Sequence, residues 1–251
     1  MAGSAQGIPA WEVPAFESVS TWRQPMPVPA GHERTALVAA VAGRVDALGP
    51  RRLRVVVDGY TASGKTSFGH ELAAALRALG RPTLRASMDD FKKPWRHAIE
   101  HGYDRTSGEG YYRNAPDFES AVQLLLEPSG PEGSGEVVLC GHDPLTGEDH
   151  RSVSVTAPEN SVLVVDTVFG LRPEYAPYWD FSIWLDVSPE LSLERAVRRD
   201  GEMEGVAEAE ALHRDRYHAA ESIYLAEVDP LSAVDLIIDN TDVAHPVVAR
   251  G

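Results

Sequence analysis

Eight residues between a short apolar run and an alanine-rich amphipathic stretch carry the most specific chemistry in the chain. Gly59-Tyr60-Thr61-Ala62-Ser63-Gly64-Lys65-Thr66 fits the pattern G-x-x-x-x-G-K-[ST]. "LRVVVD" (53–58) precedes it, and Lys65 to Leu79 reads as the helix that follows. Glycines let the backbone curl so that successive N–H groups point inward as an anion cradle. The helix start adds its positive pole. Lys65 supplies a mobile charge for β- and γ-phosphates, and Thr66 a hydroxyl ligand for Mg2+. Gly59, Tyr60, Thr61, Ala62, Ser63, Gly64, Lys65, Thr66 and Ser67 are therefore expected to hold the phosphates of a nucleoside triphosphate. The competing reading is a glycine-rich strand–helix turn with a surface lysine.

Such a loop works only if a sheet presents it. "TLRASM" (83–88), "SVLVVD" (161–166), "FSIWLDV" (181–187) and "VDLIID" (234–239) read as further buried strands. Helical patterns run over His32 to Leu48, from Ser188-Pro189-Glu190 onward, and over about Val206 to Leu225. The order implies a P-loop NTPase-type α/β fold, a doubly wound, mostly parallel sheet with helices on both faces. About forty residues after "DDF" (89–91) look irregular apart from a helical patch at 117–126. "EVVLCG" (136–141) and "RSVSVTA" (151–157) read as a hairpin with a long polar tip. Residues 1–30 are proline-rich and aperiodic, an extended arm whose Trp11, Phe16 and Trp22 could dock on the domain formed by 31–251. Ligands of such sheets bind at the carboxyl ends of strands, where Asp58, Asp89 and Asp166 all fall.

The formal charge of -15 argues against a protein that coats nucleic acid or an anionic membrane, yet leaves room for a small anionic ligand. Cys140 is the single cysteine, so no internal disulfide forms; it reads as a small buried hydrophobe in a reducing compartment. The N-terminus lacks a basic start followed by an apolar run, and no stretch approaches the roughly 20 apolar residues of a membrane span. A cytoplasmic protein is expected, with a homo-oligomer left open.

Three later segments, "SMDDF", "VLVVDTVFG" and "SPELSLERAVRRD", follow the loop in a telling order. From about Arg54 to Asn240 the chain resembles the uridine kinase family, within the larger group that includes phosphoribulokinase and bacterial pantothenate kinase. Uridine–cytidine kinases carry a Gly-x-Thr-Ala-Ser-Gly-Lys-Ser/Thr loop, and this chain reads "GYTASGKT". The resemblance implies that Asp89, with Lys65 the second catalytic residue, is the general base for an acceptor hydroxyl. A carboxylate that takes that proton also aligns a poor nucleophile with the γ-phosphorus. Asp90 is the rival, one residue on. Asp166, where the family usually has Glu followed by Gly, would join Thr66 in the Mg2+ shell, directly or through water. "YYRNAPDFESA" resembles the family's His-Pro-Asp-Ala-Phe stretch, with Ala115 at the His, which makes Asp117 and Tyr112 substrate-binding candidates. Asp117 could equally be the first-turn acid of the helix it precedes.

In the hairpin, "GHDPLTGEDHR" offers His142, His150 and Arg151 where the family reads its base with a Tyr-Asp pair and His-x-Arg. His142, Asp143, Asp149 and His150 could also suggest a metal site. Arg195, Arg198 and Arg199 stand where the family has lid arginines; a solvated helix face is the alternative. "GEMEG" (201–205) would be the lid's mobile tip, within a lid and following helix at about 189–225. Arg214, Arg216, Tyr217, Trp95 and His97 are further candidates for the acceptor wall. The expected activity is phosphoryl transfer from Mg2+-bound ATP, or GTP, to a small hydroxylated acceptor, first a nucleoside such as uridine or cytidine. A different metabolite or an antibiotic as acceptor, and a nucleotide-binding protein without acceptor chemistry, are the alternatives.

Overall fold

A computed structural model describes residues 13–22 and 30–251. Its first elements are strand β1 (Ala15–Glu17), helix α1 (His32–Asp46), β2 (Leu53–Gly59), α2 (Lys65–Ala78), β3 (Thr83–Ser87), α3 (Trp95–His101), α4 (Gly108–Asn114) and α5 (Phe118–Ala121). The small hairpin of β4 (Glu136–Val138) and β5 (Ser154–Thr156) follows, then β6 (Val162–Asp166) and β7 (Phe181–Asp186). Helices α6 (Pro189–Glu204), α7 (Val206–Leu212), α8 (Ala219–Val228) and α9 (Pro230–Ala233) lead to β8 (Leu236–Asp239) and β9 (Val247–Arg250).

The main sheet has the order β1-β3-β6-β2-β7-β8-β9, with every neighbouring pair parallel except β8–β9. A parallel sheet covered on both faces requires apolar runs rather than alternation, and the valines of β2 show why. Val55 and Val57 face α1 and α2 together with Val164, Ile183, Leu185 and Ile238. Val56, between them, points to the other face with Trp184, Ile237, Phe169 and Tyr224. Because β3 lies beyond β6 while β7 lies on the opposite side, the chain reverses its winding at β2. A crevice opens there at the strand ends, and it is where the loop from Gly59 emerges. This is the α/β fold expected from the strand–helix alternation.

Several elements differ from expectation. Residues 15–17 of the arm form an edge strand on β3, with Phe16 packed against the core and Thr83 N donating to Pro14 O at 3.0 Å; Trp11 lies outside the described residues. The segment after Phe91 contains α3 and α4, which show no readable period: α3 buries only Ala98, and α4 begins with two poorly helix-forming glycines in three residues. β9 is short and exposed along its length. The 201–205 stretch is helical through Glu204, and the break comes at Gly205, with φ 90°. The helix read over Val206 to Leu225 is α7 and α8 joined by a wider π-type turn at His213–His218.

Candidate active site

Gly59 (φ 145°) and Gly64 (φ 100°) take backbone conformations that side chains resist, and a Cβ on Gly59 would stand 2.5 Å from Leu185 O. The loop between them is fastened from outside. Glu221 on α8 accepts from Thr61 N at 2.6 Å and Thr61 Oγ1 at 2.7 Å. Ser192 Oγ on α6 donates to Thr61 O at 2.6 Å, and Asn240 Nδ2, after β8, to Ser63 O at 2.7 Å. Lys65 is buried at the start of α2, with its ammonium on Gly59 O (3.0 Å) and Tyr60 O (2.6 Å). Burial lowers its pKa against the pull of Glu221, Asp58, Asp166 and Asp89. Tyr60 leans edge-on against Trp184 and His218.

The three strand-end acids separate. Asp58 is fully buried and accepts from Gly59 N, Gly170 N and Tyr224 Oη at 2.8, 2.8 and 2.6 Å. Burial raises its pKa, and its partners make it a brace behind the loop, not a member of the rim. Asp166 accepts from Thr66 Oγ1 at 2.7 Å with one oxygen and from Arg85 Nη2 at 2.6 Å with the other. Hydroxyl and carboxylate oxygens this close are the hard donors that suit Mg2+. Arg85 is buried inside the sheet edge and lies so close to α2 that a Cβ on Gly69 would meet its guanidinium at 2.6 Å.

Asp89 lies in the short turn Met88–Phe91, whose start Ser87 caps. Burial would raise its pKa, but the Lys92 ammonium, 2.6 Å away, outweighs this and the net shift is downward, with Lys65 and Arg199 contributing. Asp89 is therefore ionised and within the field of the loop lysine. It lines a pocket with Lys92, Tyr111, Pro116, Phe169 and Tyr175. Asp90 turns the opposite way. It is buried, accepts from Ser18 Oγ at 2.8 Å, and is pushed up to about 7 by burial. The two neighbours thus have different tasks: Asp89 faces the pocket, Asp90 holds the arm.

Of the acceptor candidates, Tyr112 is in the core, its ring 4.1 Å below the Arg172 guanidinium, because neighbouring helical residues point about 100° apart. Tyr111 takes the pocket side, with its hydroxyl accepting from Lys92 Nζ at 2.5 Å. Asp117 caps α5, accepting from Ser120 N and Ser120 Oγ. In the hairpin, Asp143 accepts from Thr21 N, Leu145 N and Thr146 N, and Asp149 binds Arg151 at 2.6 Å. His142 is buried opposite Asp149, and His150 is near Glu148. Among the described residues no three His, Cys, Asp or Glu side chains gather as a cation site.

The α6 arginines diverge. Arg199 binds Asp200 at 2.6 Å within Asp89's field. Arg195 donates to Asn240 O and Thr241 O at 3.2 and 2.8 Å. Arg198 lines an outer groove with Glu190, Glu194 and Glu202. Ser67 follows Thr66 in the first turn of α2. Arg85, Lys92, Tyr111, Phe169, Tyr175 and Glu221 were not among the residues that motif spacing marks. Only the position of Lys92, three after Asp89, offered a signal.

A parallel α/β sheet, a phosphate-type loop at its crevice and a carboxylate across from it define the P-loop kinase-like class. No protein-family model matches the chain. It is 28% identical over 192 residues to a cytidylate kinase of Pyrobaculum arsenaticum, covering 74% of this chain and 83% of that protein. A cytidylate kinase of Pyrobaculum calidifontis is 27% identical over 193 residues, with the same shares. Among solved structures, one described as a possible uridine kinase from Bacillus stearothermophilus aligns with a TM-score of 0.61 and 21% identity, covering 81% of this chain and 96% of that one. One provisionally described as a fructose transport system kinase from Silicibacter sp. TM1040 aligns with a TM-score of 0.60 and 25% identity, over 78% and 95%. The structural neighbours are thus uridine kinase-like and P-loop kinases, as the motifs led one to expect. At this low identity they support a P-loop phosphotransferase of the nucleoside and small-molecule kinase class.

Proposed function

We propose that the protein transfers the γ-phosphoryl group of ATP, or GTP, to a hydroxyl of a small acceptor that approaches Asp89, whose pocket of about 20 Å³ takes little more than a water as it stands and must widen to admit it. The observation that carries the reading is geometric: Lys65 sits with its ammonium on Gly59 O and Tyr60 O at the end of β2, and Asp89, just past the end of β3, lines a pocket with the Lys92 ammonium 2.6 Å away. Lys65 exchanges its two loop carbonyls for phosphate oxygens, which offer a full negative charge in place of two dipoles. Thr66 and Asp166 would hold Mg2+, whose chemistry is to draw negative charge off the transferring group. Arg85 occupies one Asp166 oxygen, so the other, beside Thr66 Oγ1, is the one that would be offered to the ion. Asp89 accepts the acceptor's proton, and its Lys92 partner keeps it ionised beforehand. Lid arginines, among them Arg199, whose charge helps to lower the Asp89 pKa, supply further positive charge as α6 and α7 close.

A nucleoside, uridine or cytidine first, is the acceptor suggested by the resemblance. A different hydroxylated metabolite is the second reading, and the hairpin favours it. Asp143, Asp149 and Arg151 spend their polar groups on each other and on the backbone, leaving few to read a base. A coupled ADP-release screen over nucleosides, sugars, vitamins and hydroxylated antibiotics tests the proposal. At least one acceptor should raise ADP release about 100-fold or more over the acceptor-free rate, and Lys65→Ala should abolish the rise. A nucleotide-binding protein without transfer would show binding and no acceptor dependence across the whole panel.

A further inference from the structure

Beside the Asp89 pocket, two arginines share one indole. The guanidinium carbons of Arg105 and Arg216 lie 4.5 and 5.3 Å from the centre of the Trp95 ring. Arg105 is 4% exposed, donates to Lys93 O, and leaves its Nε without a hydrogen-bond partner. Arg216 donates to Thr106 O at 3.0 Å. Neither meets a carboxylate among the described residues; the ion pairs on either side are Lys92–Asp89 and Arg214–Glu210. Two cations with no anion are an odd arrangement in a chain whose net charge is -15. A buried guanidinium with an unused N–H is costly unless something answers it.

Aromatic contacts tie this corner to the chemistry. Tyr217, next to Arg216, stands 5.1 Å from Tyr111, and Tyr111 bonds the Lys92 that holds Asp89. Mutual repulsion adds to burial in lowering the pKa of Arg105. An arriving anion would relieve that repulsion, and a guanidinium fork matches the oxygens of carboxylate and phosphate alike.

We propose that Arg105 and Arg216 form an anion subsite, with Trp95 as its wall, that takes a carboxylate or phosphate carried by the hydroxylated acceptor. The word acceptor rests on the kinase reading above; the anion subsite itself does not. The first arm compares matched acceptors in the ADP-release assay: ribose against ribose 5-phosphate, and glucose against gluconate. The anionic member of at least one pair should have a kcat/KM about 10- to 100-fold higher, and which pair responds separates phosphate from carboxylate. Arg216→Gln should erase that advantage through KM while the neutral partner's constants hold. Equal turnover of both members, or an advantage that survives Arg216→Gln, would overturn the subsite.

The second arm needs no turnover. Protein saturated with Mg2+ and ADP, so that the phosphate loop is filled, is titrated with inorganic phosphate and with acetate while tryptophan fluorescence is followed. A saturable change that weakens about 10-fold in Arg216→Gln and Arg105→Gln, and disappears in Trp95→Phe, supports the subsite even where no acceptor reacts. No saturable change, or one indifferent to both arginines, rejects it. Arg216 is the decisive position, because it is only partly buried and its glutamine variant should melt within a few degrees of wild type.

Discussion

Glu221 shows how much chemistry can lie outside a motif. One of its oxygens accepts both the amide and the hydroxyl of Thr61, and the other is buried without a hydrogen bond, 3.8 Å from His218 Nε2. Burial pushes its pKa up to about 7, against the lowering effect of the Thr61 bonds and Lys65. The folded value lies above the unfolded one, so between about pH 4.5 and 7 the folded chain keeps a proton that the unfolded chain has released. Stability must therefore fall as pH rises through that window. Glu221→Gln removes the titrating group while keeping an acceptor for Thr61. Denaturant unfolding should find the variant roughly 1–3 kcal/mol ahead of wild type at pH 8, with the advantage gone at pH 4.5. A constant difference at both pH values would mean that Glu221 is not the group responsible.

At this scale Lys65, Thr66 and Asp89 stand out in the sequence as candidates, because a loop pattern and an acid after a strand set their types and places together. Arg85, Lys92 and Tyr111 were silent. An arginine inside a strand, or a second tyrosine in a pair, carries no spacing that separates site from surface. Tyr112 rather than Tyr111 was singled out for the same reason: side by side in the chain, only helix direction tells them apart.

Among the elements, the sheet and its main helices were legible because apolar runs and cap residues repeat in βα order. Ser188, for instance, accepts from Leu191 N as its place before Pro189 suggested. β1 was not legible, since a three-residue strand joined through backbone bonds needs no side-chain pattern. Yet it matters for the site. The arm that continues from β1 donates from Ser18 to Asp90 at 2.8 Å and from Thr21 N to Asp143 at 2.6 Å, tying the turn that holds Asp89 to the hairpin. Deleting residues 1–22 uncovers the β3 edge and strips Asp90 of a donor. The melting midpoint should drop by roughly 4–8 °C, about 2 kcal/mol for a chain of this size. An unchanged midpoint would make the strand pairing incidental.

Across the whole molecule, a chain of net charge -15 gathers cations around the crevice, with Lys65 in the loop, Arg85 on Asp166, Lys92 beside Asp89, and the Arg105–Arg216 pair near Tyr111. That distribution suits a small anionic ligand drawn into one crevice and argues against extended polyanions. No helix among the described residues is long and apolar enough to cross a membrane. The reversal of winding at β2 places the loop and Asp89 at the same strand ends, so the proposed donor and acceptor sites would be two sides of one cleft. The central claim is that Asp89 readies an alcohol for a phosphoryl group that the loop holds. Its most direct test is Asp89→Asn, measured for binding of a fluorescent ATP analogue and for acceptor-dependent ADP release in the same preparation. Binding should stay within about twofold of wild type while release falls by about 100-fold or more. Release that persists at the wild-type rate would contradict the mechanism.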